Sequence, residues 1–253
     1  SRRTLTKTVV ANAAEPASLD YSIAQALFHH SWRQKHMILF AADNHYGKHC
    51  GRVLNSQIKD RYSIEFHEDD WSCFETGGLI ETYDLIILNL IAGACDIPPP
   101  SEQGEANVKA YLEAGGSMLL LHGASAAFWS CDWWRAIVGH RWVRGNDPDG
   151  FDASTHPRRP YRLDVAKCRH PLCTKLTSID LPEDEIYINL EQTASTTVLM
   201  TTTTDEGTFV QAYETFTPWG GRILAYIPGH EKEVVGNEVM VGNCTVLIDD
   251  LLP

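Results

Sequence analysis

The apolar positions of this chain fall into short unbroken runs separated by stretches of helical spacing. Residues 36–42 (HMILFAA) read as a first buried strand that stops at the turn residues Asp43, Asn44 and His45. Residues 48–59 carry Cys50, Val53, Leu54 and Ile58 near helical spacing, and residues 62–66 read as a short second strand. Residues 83–90 (YDLIILNL) show no alternation, as expected of a parallel strand covered on both faces. Pro98, Pro99 and Pro100 stop it; Ser101 then caps a helix whose Val108, Tyr111 and Leu112 face inward and which Gly115 and Gly116 end. Residues 118–121 form the next strand, His122 and Gly123 its tight turn, and residues 126–138 the helix that follows. This rhythm implies right-handed crossovers and a mostly parallel sheet flanked by helices, an α/β fold.

The second half has a different texture. Residues 139–160 are a loop-rich excursion of the length that compact domains keep for function. Residues 161–165, 185–190, 197–202, 209–214 and 222–227 read as extra short strands, and residues 239–252 as a closing helix. Residues 1–34 carry little strand pattern beyond a helix over residues 18–28; they read as an arm outside a single domain of residues 35–253, and such an arm suggests a homo-oligomer.

Composition narrows the class. A chain of 253 residues with 43% hydrophobic and 21% charged positions is an ordinary globular protein, long enough for one large domain. A formal charge of −12 argues against nucleic acid or an anionic membrane as partner and suits a neutral or cationic small ligand. No run approaches the ~20 apolar residues of a membrane span, and the N-terminal stretch lacks an apolar core of signal-peptide length, so a cytoplasmic location is expected. The seven cysteines lack a repeating spacing, which predicts free thiols in a reducing compartment. Cys168 and Cys173 flank His170, but no second ligand pair follows at zinc-finger spacing.

The candidate chemistry sits where strands end. Asn44 and His45 follow the first strand, His122 the central one, and Gly229-His230 a late one. If these strands are parallel neighbours, three imidazoles meet at one edge. They would then be ligands for a divalent metal such as zinc or manganese, or, without a metal, a general acid and base near neutral pH. Trp129, Trp133 and Trp134 read as helix-to-sheet packing, whereas Trp219 beside the Gly220-Gly221 turn is the tryptophan placed to contact a ligand. His170-Pro171 reads as a loop-shaping pair, and His156-Pro157 lies in the long excursion.

Four phrases, LLLHGASAAF around His122, His170-Pro171, LPEDEIY ending at Tyr187 and GGRILAYIPGHE over residues 220–231, occur in an order that resembles the ThuA-like family. The resemblance spans roughly residues 36–252 and implies a flavodoxin-like, class I glutamine-amidotransferase-like fold. It also implies a carbohydrate as partner, through the use of trehalose and related disaccharides by way of keto-sugars. Glu185 and Tyr187 would then position sugar hydroxyls, with Glu185 able to act as a base; the other reading is that one of the carboxylates Asp184 and Glu185 caps a strand or forms a structural ion pair with Arg222 or Arg169. Glutamine amidotransferases carry a cysteine nucleophile at the turn where this chain has His122, and His230 and Glu231 are adjacent here, so Cys-dependent glutamine hydrolysis is not expected. The alternative to an enzyme is a binding module that has lost its nucleophile.

Overall fold

A strand with Ile, Leu and Phe on both faces is stable only between two layers, and the unbroken apolar runs take that place. The computed structural model describes residues 36–91 and 93–253; the arm and the helix expected over residues 18–28 lie outside them. β1 (Met37–Ala42), β2 (Ser63–Glu68), β3 (Leu85–Asn89), β4 (Met118–Leu121) and β11 (Arg222–Tyr226) run parallel in the order β2-β1-β3-β4-β11. β10 (Gly207–Phe216), β9 (Thr197–Thr204), β6 (Arg158–Val165) and β7 (Ile179–Glu185) extend the sheet antiparallel beyond β11. β5 (His140–Arg141) and β8 (Glu191–Gln192) pair separately.

Alternate side chains of β1 point to opposite cores. Ile38, Phe40 and Ala42 join Leu54 and Ile58 of α1 (Cys50–Ile58) and Leu247 and Ile248 of the closing helix Glu238–Leu251. Leu39 and Ala41 join Val108, Tyr111 and Leu112 of the helix Glu102–Glu113 and Trp134 of the helix Asp132–Ile137. Ser101 Oγ caps the helix Glu102–Glu113 by accepting from Gly104 N at 3.0 Å. A Cβ on Gly51 would stand 2.4 Å from Ala42 Cβ, so α1 lies on β1 at a distance that a side chain forbids.

The β6–β7 hairpin decides the site. β6 pairs with β9 through Asp164↔Thr201 and Val165↔Met200, while Arg158 to Leu163 pair with β7 instead. Tyr161, Leu163 and Leu181 pack into the core of α1 and the closing helix, so the hairpin folds over that face. Its end returns to the strand ends, where the Asp184 carboxylate accepts from the backbone N–H groups of Gly229, His230 and Glu231 at 2.8, 2.9 and 3.1 Å.

Several expectations need correction. The strand expected over residues 185–190 ends at its first residue: Glu185 closes β7, and Ile188 forms an isolated bridge with Thr155. The helix expected over residues 126–138 is a 3-10 turn, His122–Ala126, followed by a separate helix, Asp132–Ile137, which restarts with Asp132 in its dipole-favoured first turn. Cys168 and Cys173 are not free. The 3-10 turn Pro171–Thr174 brings their Cα atoms to 6.4 Å and they form a disulfide, which removes the cysteine argument for a reducing compartment. Among the described residues no helix is long and apolar enough to cross a membrane.

Candidate functional site

β1 connects onward to β2 on one side and its neighbour β3 connects onward to β4 on the other, so the chain leaves these two adjacent strands in opposite directions and opens a crevice at their carboxyl ends. Asp43, buried at the end of β1, accepts from His45 N at 3.0 Å and from Ile91 N at 2.7 Å, tying together the loops after β1 and β3. His45 and Tyr46 hold left-handed backbone angles, φ 49° and 55°, and turn the loop over the sheet end. His122 is likewise left-handed, φ 51°, at the sharp elbow after β4. A Cβ on Gly123 would come within 2.6 Å of the Ile91 side chain, so a larger residue at the elbow would push Ile91 aside. His230 follows β11 on the loop that Asp184 holds.

His45 Nε2 and His230 Nδ1 are 2.9 Å apart, and one nitrogen of each of His45, His122 and His230 lies within 4.8 Å of the others. His122 Nδ1–H donates to Ile227 O at 2.9 Å, which aims Nε2 at the crevice. There it accepts from the Tyr187 hydroxyl at 3.0 Å and lies 3.5 Å from Glu185 Oε2. Glu185 Oε1 is 3.2 Å from His230 Nδ1 and 3.1 Å from His156 Nδ1. Glu185 therefore faces three imidazoles, and the expected alternative, an ion pair with Arg222, is absent: Arg222 pairs with Glu214 and Asp250.

These contacts set the protonation states. Burial works against the Glu185 carboxylate, but the hydrogen bond and charge of His122, with His230 and His156, hold its pKa down at about 2. Burial equally opposes the His122 cation, yet Glu185, Asp184 and the Ile227 carbonyl lift its pKa above the ordinary value. Burial dominates at His45, whose pKa is lowered despite Asp43, and at His230, where it falls to about 4. Two neutral imidazoles thus lie beside one that readily takes a proton.

The donor set fits a divalent cation of the zinc or manganese kind. Zinc–nitrogen bonds of about 2.0–2.1 Å in a tetrahedron place ligand nitrogens roughly 3.3 Å apart; here His45 Nε2 and His230 Nδ1 stand at 2.9 Å and one nitrogen of each of the three rings lies within 4.8 Å of the others. The outward nitrogens meet protein oxygen, His122 Nδ1 at the Ile227 carbonyl and His45 Nδ1 at 3.6 Å from Asp43, the outer arrangement that orients metal-binding histidines. Glu185 adds an oxygen donor beside them.

The histidines floor a cleft of about 560 Å³, the size of a small-molecule site. His45, His122, Glu185, Tyr187 and His230 all line it. Asn44 does not: its side chain bonds Asp69 at 3.0 Å and Gly47 N at 3.1 Å, fixing the loop instead of meeting a ligand. Trp219 is also misplaced as a ligand contact, because it precedes β11 while the cleft follows it; its carbonyl lies by Gly115, at the other end of the sheet. The excursion brings His156, which the long loop offered to the pocket, and supplies Trp142 and Arg144, which the residue pattern did not single out, and Tyr46 joins from the loop after β1. The length of that excursion was the available signal.

The family described as trehalose utilisation, ThuA, matches residues 29–243. No curated protein matches the chain in sequence. Among solved structures, a protein called ThuA-like from Parabacteroides merdae is 16% identical with a TM-score of 0.61, covering 83% of this chain and 88% of that one. Another from Bacteroides uniformis is 15% identical with a TM-score of 0.61, covering 86% and 91%. A β-galactosidase from Bacillus circulans sp. alkalophilus shares the fold at 7% identity and a TM-score of 0.51, over 86% of this chain and 31% of that one. At these identities the likeness to solved structures speaks for the fold alone, whereas the family match spans most of the chain. The chain belongs to the ThuA trehalose-utilisation family.

Proposed function

We propose that this protein is an enzyme of carbohydrate use that binds a sugar or keto-sugar in the cleft, over a centre in which His45, His122 and His230 hold a divalent cation. The observation that carries the reading is the convergence of the three inward-facing imidazole nitrogens on the floor of an open cleft, with His122 held in one tautomer by the Ile227 carbonyl. Bound there, zinc or manganese would polarise a hydroxyl or carbonyl oxygen. The residues do the rest. Glu185, its pKa held at about 2, accepts a hydrogen bond from a substrate hydroxyl without taking its proton, and the Tyr187 hydroxyl beside His122 Nε2 is a second hydrogen-bonding group at the floor.

A second reading rests on the raised pKa of His122. Without a cation, His122 Nε2 exchanges a proton with substrate while Glu185 stabilises the imidazolium. A non-catalytic binding module would share the open cleft; among the described residues the backbone tie expected of it holds at His122 alone, while His45 and His230 face each other and His230 faces Glu185, which favours the enzyme.

Elemental analysis of protein purified without a metal-affinity step, beside the His122→Ala variant, separates these readings. Near-stoichiometric zinc or manganese that falls in the variant is the expected result. Metal absent from both samples, even after dialysis against zinc, would overturn the metal centre and leave acid–base chemistry at His122.

A further inference from the structure

His156 is exposed and yet fixed. It shows 54% of its side chain to solvent, but the backbone on either side of it is held: Thr155 and Ile188 exchange N–H to carbonyl bonds at 3.1 and 2.9 Å, and Pro157 O accepts from Ile186 N at 3.0 Å. Its Nδ1 lies 3.1 Å from Glu185 Oε1. An ionised carboxylate can only accept, so Nδ1–H donates, and the lone pair of the neutral ring sits on Nε2, across the ring from the buried Glu185. His156 lines the cleft, where Nε2 is an acceptor for a hydroxyl.

The neighbouring wall is Trp142, half-buried and lining the same cleft. Its carbonyl accepts from Trp129 Nε1 at 3.0 Å, the following N–H, that of Val143, donates to Ser154 Oγ at 2.8 Å, and the preceding Arg141 is anchored by Asp147 and Glu191, each at 2.6 Å. The ring stands 4.6 Å from that of Tyr187 at 60° and 5.5 Å from that of His156 at 48°, so neither lies flat over the indole. An aromatic plane fixed before its ligand arrives loses little freedom when a sugar stacks on it.

Resting on the carbohydrate reading above, we propose that Trp142 and His156 form a subsite for an uncharged pyranose ring, its apolar face on the indole and one ring hydroxyl donated to His156 Nε2. The tilt puts the imidazole beside the indole plane, where the equatorial hydroxyls of a stacked ring project. A carbonyl or a bare CH2 at that ring position has no proton to give, so the subsite takes an alcohol there, and a carbonyl of the substrate belongs at the histidine floor. The net charge of −12 agrees with a ring that carries no charge of its own.

Isothermal titration of the purified protein with trehalose and with D-glucose tests the subsite, on the wild type and on Trp142→Ala, Trp142→Phe, His156→Leu and His156→Gln, with the urea midpoint of each measured beside it. Trp142→Ala should weaken binding about tenfold and His156→Leu about fivefold, while Trp142→Phe keeps a ring and His156→Gln an acceptor and each recovers most of the loss. Sugar should also shift the tryptophan emission of the wild type, and Trp142→Phe should bind without that shift, a signature that a purely structural role would not produce. If Trp142→Ala or His156→Leu does not fold, the emission of Trp142→Phe decides. Binding unchanged in Trp142→Ala or in His156→Leu, or a shift that persists in Trp142→Phe, would overturn the subsite and leave the carbohydrate reading standing. Binding of neither sugar by the wild type would overturn both.

Discussion

Asp184 lies fully buried behind the floor of the cleft, and its carboxylate takes the N–H groups of Gly229, His230 and Glu231 at 2.8, 2.9 and 3.1 Å. Asp184→Asn keeps the shape but replaces one acceptor oxygen with an NH2 group. If the remaining carbonyl oxygen serves His230 and Glu231, the new amide meets Gly229 N–H donor to donor. Losing that charge-assisted bond costs about 1.5–3 kcal/mol, and turning the other two neutral costs about 0.5–1 kcal/mol each. Relief from burying a charge offsets part of this, so a net loss of about 2–4 kcal/mol is expected. For a domain of this size that lowers Tm by about 4–16 °C. Because the same N–H groups carry the His230 loop, zinc affinity should fall roughly 10–100-fold. Urea unfolding, with zinc titrated against a chromophoric chelator, reads both quantities. A variant with wild-type stability and wild-type zinc affinity would refute the role of Asp184 in holding the loop; lost stability with unchanged affinity would refute its link to the site.

Two further outcomes follow from buried positions away from the floor. Burial alone pushes the pKa of His140, 7% exposed, from its ordinary 6.5 down to about 4, so the unfolded chain takes up a proton that the folded protein excludes. The contribution of His140 is therefore whole above pH 6.5 and is lost, up to about 3 kcal/mol, as pH drops to 4, and His140→Gln should reduce the slope of the urea-midpoint curve across that window, with the slope that remains coming from His230 and His45. A wild-type curve with the same slope as the variant's would contradict this. Gly51→Ala places a Cβ 2.4 Å from Ala42 Cβ and should cost about 1–3 kcal/mol, read as a lower denaturant midpoint at unchanged slope. An unchanged midpoint would mean that α1 packs less closely on β1.

The sequence by itself determined the parallel half of the sheet and three residues of the candidate site. The runs ending at Ala42, Asn89, Leu121 and Tyr226 are apolar on both faces, which only a covered parallel strand tolerates, and parallel strands joined by crossovers end on one edge. His45, His122 and His230 directly follow such runs, so their meeting was readable from pattern alone. Glu185 and Tyr187 came from the resemblance, and their place depends on the β6–β7 hairpin leaving the sheet after two residue pairs with β9. Local periodicity reports how buried each strand is, but not whether a hairpin stays in the plane or folds over a core. Trp219 and His230 flank the same strand, and only the direction of β11 within the sheet separates the one from the cleft and delivers the other to it. Trp142, Arg144 and His156 lie in a stretch without period, and the Cys168–Cys173 pairing follows from a 3-10 turn that no apolar spacing marks. Each of these was decided by packing between segments far apart in the chain, where burial of Tyr161, Leu163 and Leu181 against α1 and the closing helix outweighs continued pairing with the sheet.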